Sequence, residues 1–129
     1  MTLLPVTLTT AAAAALINFW LAVRISQVRA AENVWVGDGG NARLIARMRA
    51  QLNFAEYAPL VLILLALAEL ARGASIYLWV VALLFVIGRV LHAFGMDGFK
   101  AGRMAGAVST MLITLGLAGY AALLAHNIF

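Results

Sequence analysis

Several polar residues lie close together in one segment of an otherwise apolar sequence, RAQLNFAEYAP at residues 49–59. Arg49, Asn53 and Glu56 are spaced i, i+4 and i+7, which places them on one face of a helix. Because Arg holds carboxylates in a bidentate geometry and a carboxylate pairs with ammonium, this face suits a small zwitterionic or anionic ligand. An ionised side chain within a membrane span is costly unless it is paired, and such residues mark functional cavities.

The composition is that of an integral membrane protein. Of the 129 residues, 65% are hydrophobic and 11% are charged, and the mean hydropathy is +1.01. A soluble domain of this length needs more polar surface. Four segments reach the roughly 20 apolar residues that cross a hydrocarbon core, at about residues 3–28, 41–71, 76–94 and 104–127. The sequence therefore predicts a single all-α domain over residues 1–129, built as a four-helix transmembrane bundle.

The basic residues are concentrated at one end of the predicted bundle. All nine Lys and Arg residues except Arg72 flank the first or the third connection between helices. By the positive-inside rule this end is cytoplasmic and both termini lie outside. The first segment has no basic residue before its apolar run, which favours a retained helix over a secretory signal peptide.

The same charges and the lack of cysteine restrict the classes of function. The net charge of +4 does not indicate a nucleic-acid partner, because the arginines flank apolar spans and form no soluble basic face. Without cysteine there is neither a disulfide nor a thiolate metal site. One histidine near one glutamate does not make a metal site either, so no metal is expected.

Glu56 and His92 are expected at the same depth in the membrane. Each lies 16 residues along its predicted helix from the end of the bundle that is far from the basic residues, and this spacing corresponds to a rise of roughly 24 Å. Arg89 shares the face of His92, while Arg29 ends the first helix and Arg103 begins the fourth. The sequence thus predicts a polar layer near the cytoplasmic leaflet to which all four helices contribute.

Other polar and small residues have a structural interpretation. Asn18 is interpreted as one partner of an interhelical hydrogen bond, and the spacing of Gly102, Gly106 and Thr110 is typical of a helix-packing surface. The remaining basic residues at this end are interpreted as interfacial side chains that extend to lipid phosphates: Arg24, Arg43, Arg47 and Lys100.

The segment 49–59 also resembles the second-helix signature of the MAPEG family, the membrane-associated proteins in eicosanoid and glutathione metabolism. The pattern R-x-x-x-N-x-x-E-Y-x-P carries the resemblance, together with its position early in the second of four spans. Arg29, RVLH at residues 89–92 and Arg103 also look similar, and the GDGG loop at residues 37–40 is most like the small bacterial branch of the family. The resemblance implies a homotrimer in a bacterial inner membrane, with glutathione as co-substrate between neighbouring subunits near the cytoplasmic face.

The resemblance also implies roles for individual residues. Arg103 matches the arginine that stabilises the glutathione thiolate, a physically sensible role because a neighbouring guanidinium lowers the pKa of a thiol. Two departures lie nearby, since Met96 stands where eicosanoid synthases often have an aromatic hydroxyl, and Ala107 has no hydroxyl. The residues that match glutathione-binding positions are Arg29, Arg49, Gln51, Asn53, Glu56, Tyr57 and His92.

These features lead to one leading hypothesis and two alternatives. The leading hypothesis is a glutathione transferase or peroxidase that acts on a lipophilic electrophile or a lipid hydroperoxide arriving through the bilayer. The first alternative is a non-catalytic binding or scaffold protein that keeps the pocket without activating the thiol. The second is a small proton-coupled multidrug transporter, which also has four helices and one membrane carboxylate. The one-sided distribution of basic residues disfavours this transporter, because antiparallel assemblies need balanced charge on both faces.

Overall fold

Four long helices make up most of the structure, a computed structural model that describes residues 3–128. They are α1 Pro5–Glu32, α2 Ala42–Arg72, α3 Ile76–Met96 and α4 Lys100–Ala125. Each helix is long and apolar enough to cross a membrane, and the described residues contain no strand. The prediction of an all-α bundle of four membrane helices is confirmed.

The helix ends follow capping signals that the sequence contains. The side chain of Asn41 accepts a hydrogen bond from the backbone N–H of Leu44 at 2.9 Å, and Ser75 caps α3 through the N–H of Leu78 at 3.3 Å. Gly73 ends α2 with a φ of 80°, in the left-handed region that favours glycine. These caps mark where α2 begins, where it ends and where α3 begins.

The helices at the basic end of the bundle extend beyond the apolar segments that predict them. The structure continues α1 to Glu32 and α3 to Met96, and it begins α4 at Lys100. A span predicted from hydropathy stops at the first charged residues, whereas the backbone hydrogen bonds of the helix continue through them. Met1, Thr2 and Phe129, which the predicted domain includes, lie outside the described residues.

Close packing of α3 against α4 depends on glycine. A Cβ atom added at Gly106 would meet the carbonyl oxygen of Gly88 and the backbone nitrogen of His92, and one added at Gly95 would meet the backbone of Arg103. Gly102, Gly106 and Thr110 are all buried, which confirms the predicted packing surface. Among the described residues no Cα atom of α1 lies within 8 Å of one in α4, so these two helices lie on a diagonal of the bundle.

The outer surface of the bundle is apolar, as expected where lipid replaces water. Leu16, Phe19 and Leu115 are each about two-thirds exposed or more. Of α4, only Gly102, Gly106, Thr110 and Leu117 are buried. An isolated soluble protein does not expose apolar surface of this extent, so these faces contact lipid or another protein.

A buried carboxylate on α2 caps the first turn of α1 at the end opposite the basic residues. Glu69 is 3% exposed and accepts hydrogen bonds from the backbone N–H groups of Val6 at 2.9 Å and Thr7 at 2.8 Å, and from the Thr7 hydroxyl at 2.7 Å. The first N–H groups of a helix have no partner within it, and the helix dipole favours an anion there. This role of Glu69 is not among those predicted from the sequence, although an acidic residue within a span is a signal in itself.

Candidate functional site

Helix α2 presents its polar residues on a face that the rest of the chain leaves partly open. Arg49 and Glu56 are exposed, while Gln51, Asn53 and Tyr57 are partly buried. Neither Arg49 nor Glu56 has a hydrogen-bond or ion-pair partner among the described residues. The helix remains continuous through Pro59, so these side chains keep the helical spacing that the sequence predicts.

A cavity of about 560 Å³ lies beside this face, between α1, α2 and the loop that joins them. Its volume is in the range of sites that bind small molecules. Two arginines and one aspartate give its lining a net positive charge. The lining residues are Asn18, Ile25, Arg29, Asp38, Ile45, Met48, Arg49, Gln51, Leu52 and Ala55. The structure thus brings together Arg29, Arg49 and Gln51 of the predicted site.

Arg29 fixes the loop at the edge of this cavity. Its Nη1 donates to the backbone carbonyls of Val34 at 3.0 Å and Gly37 at 2.8 Å, and its Nη2 lies 3.8 Å from the sulfur of Met48. Much of the hydrogen-bonding capacity of Arg29 is therefore used within the chain. The sequence predicts Arg29 as a ligand contact, and the structure adds a role in holding the loop.

Asn53 points toward the core of the bundle, where it meets Arg89. The Nη2 of Arg89 donates to the Oδ1 of Asn53 at 2.7 Å, and its Nη1 donates to the hydroxyl of Thr110 at 3.2 Å. Arg89 is 2% exposed, and its Cζ lies 5.9 Å from the ring centre of Phe54. This network joins α2, α3 and α4 at one level, although α4 contributes Thr110 to it and not Arg103, which the predicted polar layer contains.

His92 and Arg103 lie apart from the cavity within one chain. His92 is buried, with its Nδ1 3.4 Å from the Nη2 of Arg89. Arg103 is exposed in the first turns of α4, where its backbone packs against Gly95. The cavity that Arg49 lines therefore does not include five of the predicted site residues, namely Asn53, Glu56, Tyr57, His92 and Arg103.

The interpretation of Arg24 and Arg47 as lipid-facing side chains is wrong. The side chain of Arg24 is 7% exposed and forms an ion pair with Asp97, while its guanidinium lies 4.8 Å from the ring centre of Trp20. Arg47 reaches the same carboxylate at 3.5 Å and donates to the carbonyl oxygen of Arg24 at 2.7 Å. Asp97, in the turn after α3, lets both arginines stay within the bundle, since a buried cation needs a counter-charge. Arg43 and Lys100 are exposed.

The interpretation of Asn18 also needs correction. Its side chain is exposed and lines the cavity beside Arg49, and it has no hydrogen-bond partner among the described residues. The hydrogen bond that joins helices through an amide is made by Asn53 instead. A single polar residue in a span does not reveal from its sequence position which side of the helix faces its neighbours.

Comparison with known proteins identifies the family. The family model described as MAPEG matches residues 7–123, which is nearly the whole chain. The chain belongs to the MAPEG family. Among curated proteins, none matches the chain. The MAPEG match covers α2 and α3 completely and all but the two outermost residues of α1 and of α4, and with them the cavity and the buried Arg89 network.

Membership of the MAPEG family limits the possible activities without selecting one. The family includes glutathione transferases and peroxidases as well as non-catalytic members. Its members use glutathione and are generally trimeric. Three residues of this MAPEG chain form buried polar contacts that were not predicted from the sequence, namely Asp97, Thr110 and Glu69. Of these, only Glu69 stands out in the sequence, as an acidic residue inside a span.

Proposed function

We propose that this MAPEG protein binds glutathione in the cavity beside α2 and transfers its thiol to lipophilic electrophiles or uses it to reduce lipid hydroperoxides. The observation that supports this most is the cationic cavity of about 560 Å³ that Arg29, Arg49 and Gln51 line in a chain of this family. Nearly the whole chain matches the family model, so the polar face of α2 lies within the matched region.

The charges of the site complement those of glutathione, which has two carboxylates, one ammonium group and one thiol. Arg49 suits a carboxylate because guanidinium forms paired hydrogen bonds with it, and Arg29 adds positive charge at the loop. Glu56 suits the γ-glutamyl ammonium group. Gln51, Asn53, Tyr57 and His92 supply further polar groups on α2 and α3.

A second and a third copy of the chain complete the site. Arg49 and Glu56 are exposed on α2 beside outward apolar side chains such as Leu52 and Leu60. Charged side chains facing lipid are costly, so a polar neighbour is required. We infer a homotrimer in which glutathione lies between subunits and Arg103, which is exposed, stabilises the sulfur as thiolate.

In the transferase reaction the thiolate sulfur of glutathione forms a bond to the electrophilic carbon of the second substrate, and the leaving group departs with the electron pair. In the peroxidase reaction two glutathione molecules are oxidised to the disulfide while the hydroperoxide is reduced to an alcohol and water. The lipophilic substrate enters from the bilayer. The basic end of the bundle faces the cytoplasm of a bacterial cell, where glutathione is available, and the termini lie on the other side of the inner membrane.

Binding is tested by titration of glutathione into the detergent-solubilised trimer. Arg49→Ala and Glu56→Gln are each expected to weaken binding by about tenfold or more, since each removes a charge-assisted contact. Arg43→Ala is the matched control, because Arg43 is exposed on the same helix and does not line the cavity. Equal binding by all four proteins, or no binding by any, would refute the proposal.

Met96 favours the non-catalytic alternative. It is partly buried against the core and cannot donate a hydrogen bond to a sulfur or carboxylate. The two functions differ in the ultraviolet absorbance of bound thiolate. An enzyme shows this absorbance on binding glutathione and loses it in Arg103→Ala, whereas a scaffold protein binds glutathione as the thiol in both.

A further inference from the structure

We infer that Arg89 and Thr110 are positioning residues that fix the orientation of the Asn53 amide, so that its NH2 group is presented to the ligand. This inference rests on the proposed function, in which Asn53 contacts glutathione. None of Asn53, Arg89 and Thr110 lines the cavity beside α2. Asn53 is partly buried one turn from Arg49, which does line the cavity, and Arg89 and Thr110 act from the core through Asn53.

The orientation of the amide follows from the chemistry of arginine. A guanidinium has only hydrogen-bond donors, so the atom of Asn53 that faces Arg89 at 2.7 Å must be the carbonyl oxygen. The two donors on Nδ2 then point away from Arg89. A primary amide that lacks such a partner is free to rotate and to present either its oxygen or its nitrogen.

Arg89 is itself held in place by α4. The Thr110 hydroxyl donates to the carbonyl oxygen of Gly106 at 2.8 Å, which leaves its lone pairs to accept from Arg89 at 3.2 Å. Thr110 is fully buried, so no water competes for these bonds. Hydrogen bonds thus run without a break from Gly106 through Thr110 and Arg89 to Asn53, which ties the amide on α2 to the backbone of α4.

The consequence is that the NH2 group of Asn53 is oriented to donate a hydrogen bond to an anion. Asn53 lies one turn after Arg49 on the same face of α2. Its NH2 group can therefore donate a hydrogen bond to a carboxylate that Arg49 binds. Arg89 has no carboxylate within ion-pair distance among the described residues, and its uncompensated charge favours an anion near Asn53. If the amide turned, its oxygen would face the ligand carboxylate and repel it.

The test compares Thr110→Val with Thr114→Val. Thr114 is the matched control, since its hydroxyl also donates to a backbone carbonyl four residues earlier, that of Thr110 at 2.8 Å, but does not touch Arg89. We expect Thr110→Val to weaken glutathione binding by about tenfold, Thr110→Ser to restore it, and Thr114→Val to change it by less than about twofold.

A double-mutant cycle distinguishes a positioning role of Thr110 from a general destabilisation of the fold. In an Asn53→Ala background, Thr110→Val should cause no further loss of glutathione affinity, because its effect passes through Asn53. Equal losses in both backgrounds, or equal effects of the two threonine variants, would overturn the inference.

A measurement without ligand keeps this result separate from the proposed function. In protein with ¹⁵N-labelled asparagine, the side-chain NH2 signal that Asn53→Ala removes is assigned to Asn53. Thr110→Val should shift or broaden this signal, whereas Thr114→Val should leave it in place. Failure of the wild type to bind glutathione would refute the proposed function alone, whereas an Asn53 signal that Thr110→Val leaves unchanged would refute the positioning role.

Discussion

The Nη2 of Arg89 donates a hydrogen bond to the Oδ1 of Asn53 at 2.7 Å in the core of the bundle. Asn53 belongs to the polar face of α2, whereas Arg89 is 2% exposed on α3. The carbonyl oxygen of the amide is therefore committed to the fold, and in the proposed function its NH2 group faces the ligand. This division allows stability and binding to be changed separately.

Asn53→Asp is expected to separate the two roles. The aspartate keeps an oxygen facing Arg89 and forms an ion pair with it, but it replaces the NH2 donors with a second oxygen. Thermal unfolding should occur at the wild-type temperature or higher, while glutathione affinity falls by about tenfold or more. Loss of stability with retained binding would mean that Asn53 does not present its nitrogen outward.

Asp97→Asn should destabilise the basic end of the bundle. The variant leaves the buried guanidinium of Arg24 without its counter-charge, and it also weakens the contact to Arg47. Because Asp97 is partly exposed, we expect a loss of about 2 kcal/mol in the free energy of unfolding. Glu32→Gln, which removes an exposed carboxylate at the end of α1, is the control and should have almost no effect. Similar losses in the two variants would contradict the ion-pair role of Asp97.

Glu69→Ala should destabilise the opposite end of the bundle without changing the site. It removes the acceptor of three hydrogen bonds from the first turn of α1, at a cost of about 2 kcal/mol. Thr7→Val, which removes one of the three, should cost less, and Thr9→Val on the exposed face should cost almost nothing. Glutathione affinity per folded protein should stay unchanged, and a selective loss of binding would argue against a purely structural role.

Gly106→Ala should separate α3 from α4. Its methyl group would meet the backbone of Gly88 and His92, neither of which can move without shifting a helix. We expect a loss of about 3 kcal/mol in the free energy of unfolding. Gly116→Ala is the control on the same helix, since a Cβ there meets nothing within 4 Å and alanine favours helix by about 1 kcal/mol. Equal behaviour of the two variants would contradict the close packing described above.

Much of the fold could be predicted from the sequence because hydropathy is a direct signal for a membrane span. The helix ends at Asn41, Gly73 and Ser75 also follow from residue types in the sequence, since capping depends on local chemistry. The small residues of α4 predicted a packing surface for the same reason, because their spacing alone places them on one face. At the basic end of the bundle the predicted spans of α1 and α4 were shorter than the helices, because charged residues continue each of these helices beyond its apolar segment.

The partners of the polar residues could not be predicted in the same way. Arg24 and Asp97 are 73 residues apart in the sequence, and Glu69 is 62 residues from Thr7. Such pairs depend on how each helix is rotated about its axis, which a run of apolar residues around the whole helix leaves undetermined. The same uncertainty made Asn18 a candidate for the contact that Asn53 makes.

The most direct test of the central proposal is a structure of the membrane protein determined at saturating glutathione. We predict density for one tripeptide at each subunit boundary, with a carboxylate at Arg49, the ammonium group at Glu56 and the sulfur near Arg103. Well-ordered subunits with no density for the tripeptide beside Arg49 would contradict the proposed site.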